Sequence, residues 1–407
     1  MERTEKILIL CGHYADGKYS NSICVKNIAE SFVHSGHNVS VVAWGDDSKA
    51  GTTFLNGVEV VYIKEPRFQK VVECFSTKGT FFRILFKIIY IIRYFLVLPF
   101  YPNNSPATSK RFLREAEQLI KEREINTVLA TYTPYDGIWA GIKLKKQYSD
   151  RISFVTYHLD LMSSPDNSGI VRTFKIWKNK RAFEKELKYA DKVLLPESAS
   201  VESYPKIKIV GFPLFTCETT EGNTSFLYPS DCINLAYIGS LSTENRDPSM
   251  AIKILKEVNK DSKVKVIFHI WGFMGDKKCM DAINGSPYVE YHGIVNNDEV
   301  RSLLSKSDFL VNISNKSTYK MIPSKIFQYF AIGKPVIDFI NNQEDVSVQF
   351  FEKYPGTLLI KEYNTDIAAA AKQLLLFVET FKEKKINSVE DIFEKYKPET
   401  ICRTIID

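Results

Sequence analysis

The stretch MIPSKIFQYFAIGKPVI, residues 321–337, predicts a short helix followed directly by a buried strand. Pro323 suits the first helical position, because its ring fixes φ and its missing N–H has no helical partner there, and Gly333 suits the left-handed position that ends a helix. We therefore expect a helix from about Pro323 to Ile332 and a strand from Pro335. The first turn of such a helix carries free N–H groups and a partial positive charge, which suits a phosphate. An ordinary helix of an α/β domain explains the stretch equally well.

Bulk composition narrows the class of protein. A chain of 407 residues suggests about two or three domains, and 44% hydrophobic residues can build their cores. The 54 lysines and arginines exceed the 48 aspartates and glutamates by only six charges, so no nucleic-acid partner is predicted. The seven cysteines lack Cys-x-x-Cys spacing, which indicates neither a disulfide framework nor a zinc site. The opening MERTEKILILCG does not fit a signal peptide, and we expect a reduced, cytoplasmic protein.

Strands alternate with helices along the first half of the chain. A strand at Lys6 to Cys11 precedes the loop GHYADGKYSNS and a helix from about Ile23 to His34, and Gly36 then leads into a second strand. Doubly wound nucleotide-binding domains open in this order, and their ligands lie beyond the carboxyl ends of the strands. Further strands are predicted at Val58 to Ile63, Thr127 to Thr131, Ile152 to Tyr157 and Lys192 to Leu195, with helices at about Ser109 to Arg123, Asp136 to Tyr148 and Arg172 to Ala190.

The same design restarts in the second half. Residues 218–230, ETTEGNTSFLYPS, lose periodicity and predict a linker. Beyond it, strands such as INLAYIGSL, KVKVIFHIWG and DFLVNIS alternate with helices such as DPSMAIKILKEVNK, which favours parallel sheets. We predict an α/β fold of two Rossmann-like, doubly wound parallel-sheet domains facing across a cleft. They span residues 1–215 and 232–385, and residues 386–407 form a C-terminal helix that is free to return to the first domain.

Four segments together resemble the GT-B glycosyltransferases, most closely family 4. They are IAESFVHSGHNVSVV (residues 28–42), AYIGSL (236–241), VEYHGIVNNDEVRSLLSKSDFLVNIS (289–314) and PSKIFQYFAIGKPVI (323–337). The resemblance covers most of the chain and rests on the order and spacing of these segments. It implies a nucleotide-sugar donor, held as a substrate by the C-terminal domain, and an acceptor held by the N-terminal domain. It also implies retention of anomeric configuration and a reaction with no metal and no cofactor.

Two positions depart from the family pattern. The resemblance places the donor base and ribose near Gln328, where relatives usually have a glutamate, and the glutamine keeps a carbonyl acceptor for a hydroxyl. Relatives carry another glutamate eight positions earlier, close to the donor sugar, and here that position is Lys320. The lysine is compatible with an acidic donor sugar, a shifted alignment or a weakened catalyst.

Several residues are candidates for holding the donor diphosphate. Breaking a sugar–phosphate bond builds negative charge on the departing diphosphate, and a guanidinium pairs phosphate oxygens bidentately, so Arg246 in GSLSTENRDP is predicted as catalytic. Gly239 permits close backbone approach, and Ser324 and Lys325 lie in the first turn of the predicted helix. The structural alternatives are a solvated arginine, a turn glycine and a lysine that points to solvent. The full set of predicted donor-binding residues is Gly239, Ser240, Arg246, Lys320, Pro323, Ser324, Lys325 and Gln328.

The first half supplies candidates for the donor sugar and the acceptor. His158 follows a predicted strand at its carboxyl end and resembles the histidine that family members place at the donor sugar, so we predict it as catalytic. A hydrogen-bonded structural histidine is the alternative. No group of three or four metal ligands is apparent, and no metal site is predicted. The acceptor-side predictions are His13, Tyr14, Asp16, Asn21 and Asp160, of which the last could instead orient His158 or form a turn.

The segment FFRILFKIIYIIRYFLVLPFY, Phe81 to Tyr101, predicts contact with a membrane. It is long enough to span a bilayer, but a charge at its centre would cost about 2.5 to 3.5 kcal/mol, which disfavours spanning. Arg83, Lys87, Tyr90 and Tyr94 fall on one helical face and suit the inner surface of an anionic membrane. A mostly buried helix with outward-reaching basic side chains is the alternative.

These predictions combine into one functional hypothesis. We expect a glycosyltransferase that moves a sugar from a nucleotide diphosphate, UDP in the first instance, to a glycan or a lipid-linked acceptor in surface-polysaccharide synthesis. The alternative is an accessory subunit of the same fold that has weakened catalysis and stabilises a partner transferase, for which Lys320 is the main support. A dinucleotide oxidoreductase is disfavoured because the first loop lacks Gly-x-Gly-x-x-Gly.

Overall fold

The computed structural model describes most of the chain. The described residues are 4–15, 20–45, 51–64, 89, 94–160, 162, 169–197, 199, 204–216, 224–317, 319, 322–323, 325–382, 384, 386 and 389–407. They divide into two compact units, Met1–Leu214 with Lys395–Asp407, and Phe215–Glu394.

The helices and strands follow the alternation that the sequence predicts. In the first unit they are β1 (Lys6–Leu10), α1 (Ser20–His34), β2 (Asn38–Gly45), β3 (Gly51–Leu55), β4 (Val58–Lys64), α2 (Pro106–Arg123), β5 (Thr127–Tyr132), α3 (Tyr135–Tyr148), β6 (Ser153–His158), α4 (Gly169–Tyr189), β7 (Lys192–Pro196) and β8 (Ile207–Val210). In the second they are β9 (Ile233–Ile238), α5 (Ser249–Asp261), β10 (Val266–Trp271), α6 (Lys277–Asn284), β11 (Val289–Tyr291), α7 (Asn297–Lys306), β12 (Phe309–Ile313), α8 (Lys325–Ile332), β13 (Val336–Ile340), α9 (Val348–Phe351), β14 (Thr357–Lys361) and α10 (Ile367–Phe381). The last helix, α11 (Pro398–Ile406), belongs to the first unit.

The first unit is built on a sheet with strand order β3-β4-β2-β1-β5-β6-β7-β8. All neighbours are parallel except β3, which pairs with β4 in the antiparallel direction. Ile7 and Ile9 of β1 point into one core, and Leu8 and Leu10 point into a second core on the opposite face. The unbroken apolar run of β1 therefore reflects a strand that is buried on both faces.

The last helix completes the first unit. Helix α11 packs against α1, and the Cys402 thiol donates to the Ile28 carbonyl over 3.5 Å. Tyr396, just before the helix, is buried and donates a short hydrogen bond to Glu197.

The second unit has six parallel strands in the order β11-β10-β9-β12-β13-β14. Numbered from its own first strand, this is the 3-2-1-4-5-6 order of dinucleotide-binding domains, whose ligands lie where the order reverses, outside the carboxyl ends of the central strands. In this unit the reversal falls between β9 and β12. The fold alone therefore marks the loops that follow β9 and β12 as the place to look for a site.

The decisive helix begins slightly later than predicted. Helix α8 starts at Lys325, and Pro323 lies just before it, with its carbonyl accepting from the Ile326 N–H over 3.3 Å. Gly333 ends the helix with φ +75°, as its left-handed role requires. Because the first turn of a helix has few internal hydrogen bonds, a shift of two residues at this end changes little of the packing.

The predicted membrane segment lies largely outside the described residues. Of Phe81 to Tyr101, the structure describes Ile89 and residues 94–101. Among the helices it does describe, none combines the length and the apolar composition needed to cross a bilayer.

Candidate active site

A small pocket opens at the reversal point of the second sheet. It has a volume of about 210 Å³. Most of its wall comes from the segment that follows β9, and the rest comes from the segment that follows β10. The lining residues are Ser240, Leu241, Ser242, Asn245, Arg246, Phe273 and Gly275.

Two glycines let the backbone come close together beside this pocket. Gly239 ends β9 with φ +153°, and a Cβ added there would lie 2.5 Å from the Lys325 Nζ. Gly272 ends β10 with φ +135°, and its Cβ would lie 2.1 Å from the Gly239 carbonyl oxygen. Gly272 needs glycine because a Cβ would meet backbone atoms. At Gly239 the Cβ would meet the end of the flexible Lys325 side chain, and the positive φ is what favours glycine there.

Arg246 is held in place by two neutral side chains. Its Nε donates to Asn315 Oδ1 over 2.6 Å, and its Nη1 donates to Ser240 Oγ over 3.3 Å. Asn315 is buried and follows β12, so it fixes the guanidinium from the other side of the reversal point. The guanidinium also interacts with the Tyr237 side chain. Because arginine carries five N–H donors, it can contact an anion in addition to these partners.

A network of backbone and side-chain bonds makes the loop around Arg246 rigid. The Ser242 N–H donates to the Arg246 carbonyl over 3.0 Å, which closes a tight turn. Asn245 Oδ1 accepts from the Ser317 hydroxyl over 2.9 Å, and Lys316 Nζ lies 3.0 Å from Asp247 Oδ2. Because these bonds join the loop after β9 to the loop after β12, Arg246 is positioned before any ligand arrives.

Lys325 places a second cation beside Gly239. Its Nζ donates to the Ile238 carbonyl over 3.1 Å and lies 4.2 Å from the centre of the Tyr237 ring. Burial, together with the positive charge of Arg246, holds the pKa of Lys325 well below its usual range. The side chain is therefore turned inward, against the end of β9, instead of outward into solvent.

The other predicted donor residues lie near this pair or outside the described residues. Gln328 is half-buried on α8, three residues after Lys325 and thus on the same helical face. Pro323 is half-buried immediately before the helix. Lys320 and Ser324 lie outside the described residues, so their roles stay predictions.

Two carboxyl groups of the second unit, Asp338 in the sheet and Glu362 just after β14, have raised pKa values. Asp338 on β13 accepts from Asn312 Nδ2 on β12 over 2.7 Å, and its second oxygen has no partner among the described residues. Burial raises the pKa of Asp338 to about 8 and that of Glu362 to about 7. A carboxyl group with such a pKa holds a proton at a pH where an exposed one has lost it.

In the first unit, His158 is a buried partner of Glu186. Its Nε2 lies 2.7 Å from Glu186 Oε1, its ring stacks on Tyr132 at 5.3 Å, and both members of the pair are almost fully buried. Thr156 also donates a short hydrogen bond to Glu186. These contacts are those of the structural alternative, and the catalytic role of His158 stays a prediction.

The predicted acceptor residues are only partly brought together. Asn21 Nδ2 donates to Asp160 Oδ2 over 2.6 Å, and Thr133 Oγ1 donates to the same oxygen over 3.3 Å. His13 lies apart from this trio against Trp44, with ring centres 5.5 Å apart. Tyr14 is buried in the core, and Asp16 lies outside the described residues. The exposed carboxylate of Asp160 is therefore the strongest acceptor candidate in this unit.

Comparisons with known proteins assign the second unit to a family. The family model described as Glycosyl transferases group 1 matches residues 233–376, which contain the whole pocket. The chain has the GT-B fold, and its second unit is similar to this glycosyltransferase family. No curated protein matches the sequence.

Several solved structures share this fold at low sequence identity. A glycosyltransferase from Rickettsia africae has a TM-score of 0.54 and 12% identity, over 99% of this chain and 93% of the other. The catalytic domain of starch synthase IV from Arabidopsis thaliana, bound to ADP and acarbose, has a TM-score of 0.52 and 8% identity, over 99% and 100%. A UDP-GlcNAc 2-epimerase from Methanocaldococcus jannaschii has a TM-score of 0.52 and 13% identity, over 98% and 99%. At these identities the likeness establishes the fold alone.

Several residues around the pocket of the second unit were not predicted from the sequence. Asn315, Asn245 and Lys316 hold the loops together, yet none of them was predicted. Asn315 follows β12 directly, so the rule that ligands lie beyond the carboxyl ends of central strands contained enough information to find it. Asn245 and Lys316 contribute through contacts between loops that are distant in sequence, and no local sequence pattern predicts such contacts.

Proposed function

We propose that this protein is a glycosyltransferase that moves a sugar from a nucleotide-diphosphate donor, a UDP-sugar, to a glycan or lipid-linked acceptor in polysaccharide biosynthesis. We further propose that it retains the anomeric configuration, needs no metal for the transfer, and works on the cytoplasmic face of the cell membrane. The observation that carries the proposal is the pair of cations, Arg246 and Lys325, at the reversal point of a Rossmann-like sheet.

The leaving group explains why two cations are needed. When the bond between the sugar and the diphosphate breaks, negative charge accumulates on the phosphate oxygens. Arg246 is held in a fixed orientation, and Lys325 lies beside Gly239, where no side chain keeps the diphosphate away. The first turn of α8 supplies further N–H donors. Such a site stabilises the departing diphosphate without a bound metal.

The choice of nucleotide rests on weaker support. One structure with this fold is named for UDP-GlcNAc and another holds ADP, so both relatives concern nucleoside diphosphates. We choose UDP as the first donor to test. For the acceptor we propose Asp160, supported by Asn21, because an exposed carboxylate can accept a hydrogen bond from a sugar hydroxyl.

Contact with a membrane is supported by one face of the first unit. Helix α4 exposes Ile170 and Trp177, and residues 94–101 beside it expose Phe95 and Leu96. Lys175 lies 4.8 Å from the Tyr94 ring centre and 5.2 Å from the Tyr101 ring centre. Apolar, aromatic and basic side chains on one face suit the headgroup region of an anionic leaflet, where a lipid-linked acceptor would reside.

A nucleotide-release assay tests the proposed reaction. The full chain is incubated with UDP-, GDP- and dTDP-sugars and with glycan or lipid-linked acceptors, and the free nucleoside diphosphate is measured. We expect Arg246→Ala to lower kcat about 100-fold or more, because it removes a preorganised donor from the developing charge. Arg114→Ala is the control, since Arg114 is exposed and its one ion-pair partner among the described residues is its neighbour Glu115.

Two results would count against the proposal. If Arg246→Ala released nucleotide at the wild-type rate, the pocket would not hold the diphosphate. If the wild-type chain released nothing with any donor yet bound tightly to a second transferase, the accessory-subunit alternative would replace catalysis.

A further inference from the structure

Three side chains that commonly bind metals meet at the edge of the second sheet. His269 lies on β10, Glu290 lies opposite it on β11, and His292 follows β11 directly. His269 Nδ1 lies 3.0 Å from His292 Nε2 and 3.3 Å from Glu290 Oε2, and His292 Nε2 lies 3.7 Å from the same oxygen. His269 lies 21 positions before Glu290 and 23 before His292, so no local motif reveals the three residues.

The hydrogen bonds around His269 fix which of its nitrogens faces the cluster. Asn234 donates through Nδ2 to the Pro229 carbonyl over 2.9 Å and to Asp308 Oδ2 over 3.2 Å, so its Oδ1 is an acceptor. That oxygen lies 3.0 Å from His269 Nε2, which must therefore carry the proton. The lone pair of Nδ1 is left to point at His292 and Glu290. Metal-binding histidines commonly donate their other N–H to such an oxygen.

The spacing of the three atoms suits a tetrahedral ion. Zinc binds histidine nitrogen at about 2.0 to 2.1 Å and carboxylate oxygen at about 2.0 to 2.2 Å, so neighbouring ligand atoms lie about 3.3 Å apart. The observed separations of 3.0, 3.3 and 3.7 Å bracket that value. We propose that His269 Nδ1, His292 Nε2 and Glu290 Oε2 bind a divalent transition-metal ion, zinc in the first instance, with water at the fourth position.

The surroundings suit a structural ion. Trp271 stacks on His292 with ring centres 4.6 Å apart, Phe226 meets His292 edge-on at 4.8 Å, and Tyr228 meets His269 at 5.0 Å. These rings exclude water and hold the imidazoles in place. The Glu290 side chain is about half exposed (49%), which gives an ion a path from solvent.

The ion would hold the edge strand β11 against its neighbour β10. Strand β11 contains only three residues and pairs with β10 alone, so a metal that joins Glu290 and His292 to His269 adds a strong link across a short ladder. Beyond β10 the chain continues to Phe273 and Gly275 in the pocket wall. The inference is independent of the proposed transfer reaction, since the ion stabilises the second unit and takes no part in the chemistry.

Metal titration of the purified full chain tests the inference. The chain is stripped with a chelator and titrated with Zn²⁺ while stoichiometry and melting temperature are recorded, and Co²⁺ replaces zinc as a probe of coordination by absorbance. We expect one ion per chain, a raised melting temperature and a tetrahedral Co²⁺ spectrum. Glu290→Gln should weaken binding about 10-fold and His292→Asn about 100-fold, with the unliganded variants still folded by circular dichroism.

Matched controls come from two residues outside the cluster, the exposed His34 and the half-buried Glu257. His34→Asn and Glu257→Gln remove the same chemical groups and should bind zinc as the wild type does. Wild-type protein that takes up no stoichiometric zinc, or cluster variants that bind zinc as tightly as the controls, would overturn the proposal. An octahedral Co²⁺ spectrum, or zinc uptake by weak surface sites only, would overturn it as well.

Discussion

Both units contain a doubly wound sheet that is parallel apart from β3, but the carboxyl edges of the two sheets carry opposite charges. In the first unit, Asn21 after β1 and Thr133 after β5 both donate to the exposed carboxylate of Asp160. In the second, Asn315 after β12 and Ser240 after β9 both accept from the guanidinium of Arg246. The fold determines where each site lies, and the polar residues of the loops determine the charge of what can bind there.

This difference suggests that the two units bind different substrates. A carboxylate held by neutral donors suits the hydroxyl groups of an acceptor, whereas cations held by neutral acceptors suit the phosphates of a donor. Each charged group is oriented by uncharged partners, which position it without cancelling its charge.

We expect the largest effect on this difference between the units when the space beside Lys325 is filled. We expect Gly239→Ala to reduce kcat/KM for the donor about 100-fold, because the new Cβ would lie 2.5 Å from Lys325 Nζ and displace a cation from the phosphate site. Donor affinity by calorimetry and melting temperature are measured together.

Gly36→Ala in the first unit separates this contact from backbone strain. Gly36 has φ +83°, and a Cβ there would meet nothing within 4 Å, so the substitution carries a left-handed penalty without a collision. It should lower stability and leave donor binding unchanged. Donor binding by Gly239→Ala at wild-type affinity would mean that the diphosphate lies elsewhere.

A smaller effect is expected at the proposed membrane face of the first unit. The double variant Ile170→Ser and Trp177→Ser removes two exposed apolar side chains from α4, and we expect about 10-fold weaker binding to phosphatidylglycerol vesicles, measured by co-sedimentation. Phe54→Ser with Leu376→Ser removes comparably exposed apolar groups from other surfaces and serves as the control. Equal losses in both double variants, or no vesicle binding by the wild type, would contradict a membrane-facing α4.

Much of the fold was predictable, because its signals are local. The alternating strands and helices, the glycine that ends α8 and the candidate cations of the pocket all follow from short sequence patterns. Strand β3 was missed since all its residues are exposed and it lacks a buried face. Its turn signal was nevertheless present: Asn56 and Gly57 both have positive φ, as a tight hairpin of this composition requires.

The site was less predictable than the fold, because its geometry depends on long-range contacts. That Lys325 turns inward to the Ile238 carbonyl, 87 positions away, cannot be read from its place at a helix start. His158 shows the reverse: its place after β6 favours a ligand role, but Glu186, 28 positions later, supplies a buried partner. The position of a residue along a strand thus predicts where in the sheet its side chain lies, but it does not predict which distant residues the side chain contacts.

The last prediction concerns the pH dependence of stability and rests on a buried acid in the second sheet. Burial raises the pKa of Asp338 from 3.8 to about 8, so the folded chain holds a proton that the unfolded chain has released. A raised folded-state pKa contributes stability that is fully present below the unfolded pKa and is lost as pH rises through about 8, at no more than about 1.4 kcal/mol per pH unit. The wild type should therefore lose stability across this range.

Asp338→Asn replaces the titrating carboxyl group with an amide that does not titrate. The carbonyl oxygen of the new amide can still accept a hydrogen bond from Asn312. We expect the free energy of unfolding of the wild type, relative to this variant, to fall between about pH 5 and about pH 8 in urea denaturation. Asp150→Asn in the first unit removes an exposed carboxyl group and should show no such trend. A wild type and an Asp338→Asn variant with parallel pH profiles would mean that Asp338 ionises at the same pH in the folded and the unfolded chain, and the second sheet would then hold a buried negative charge at neutral pH.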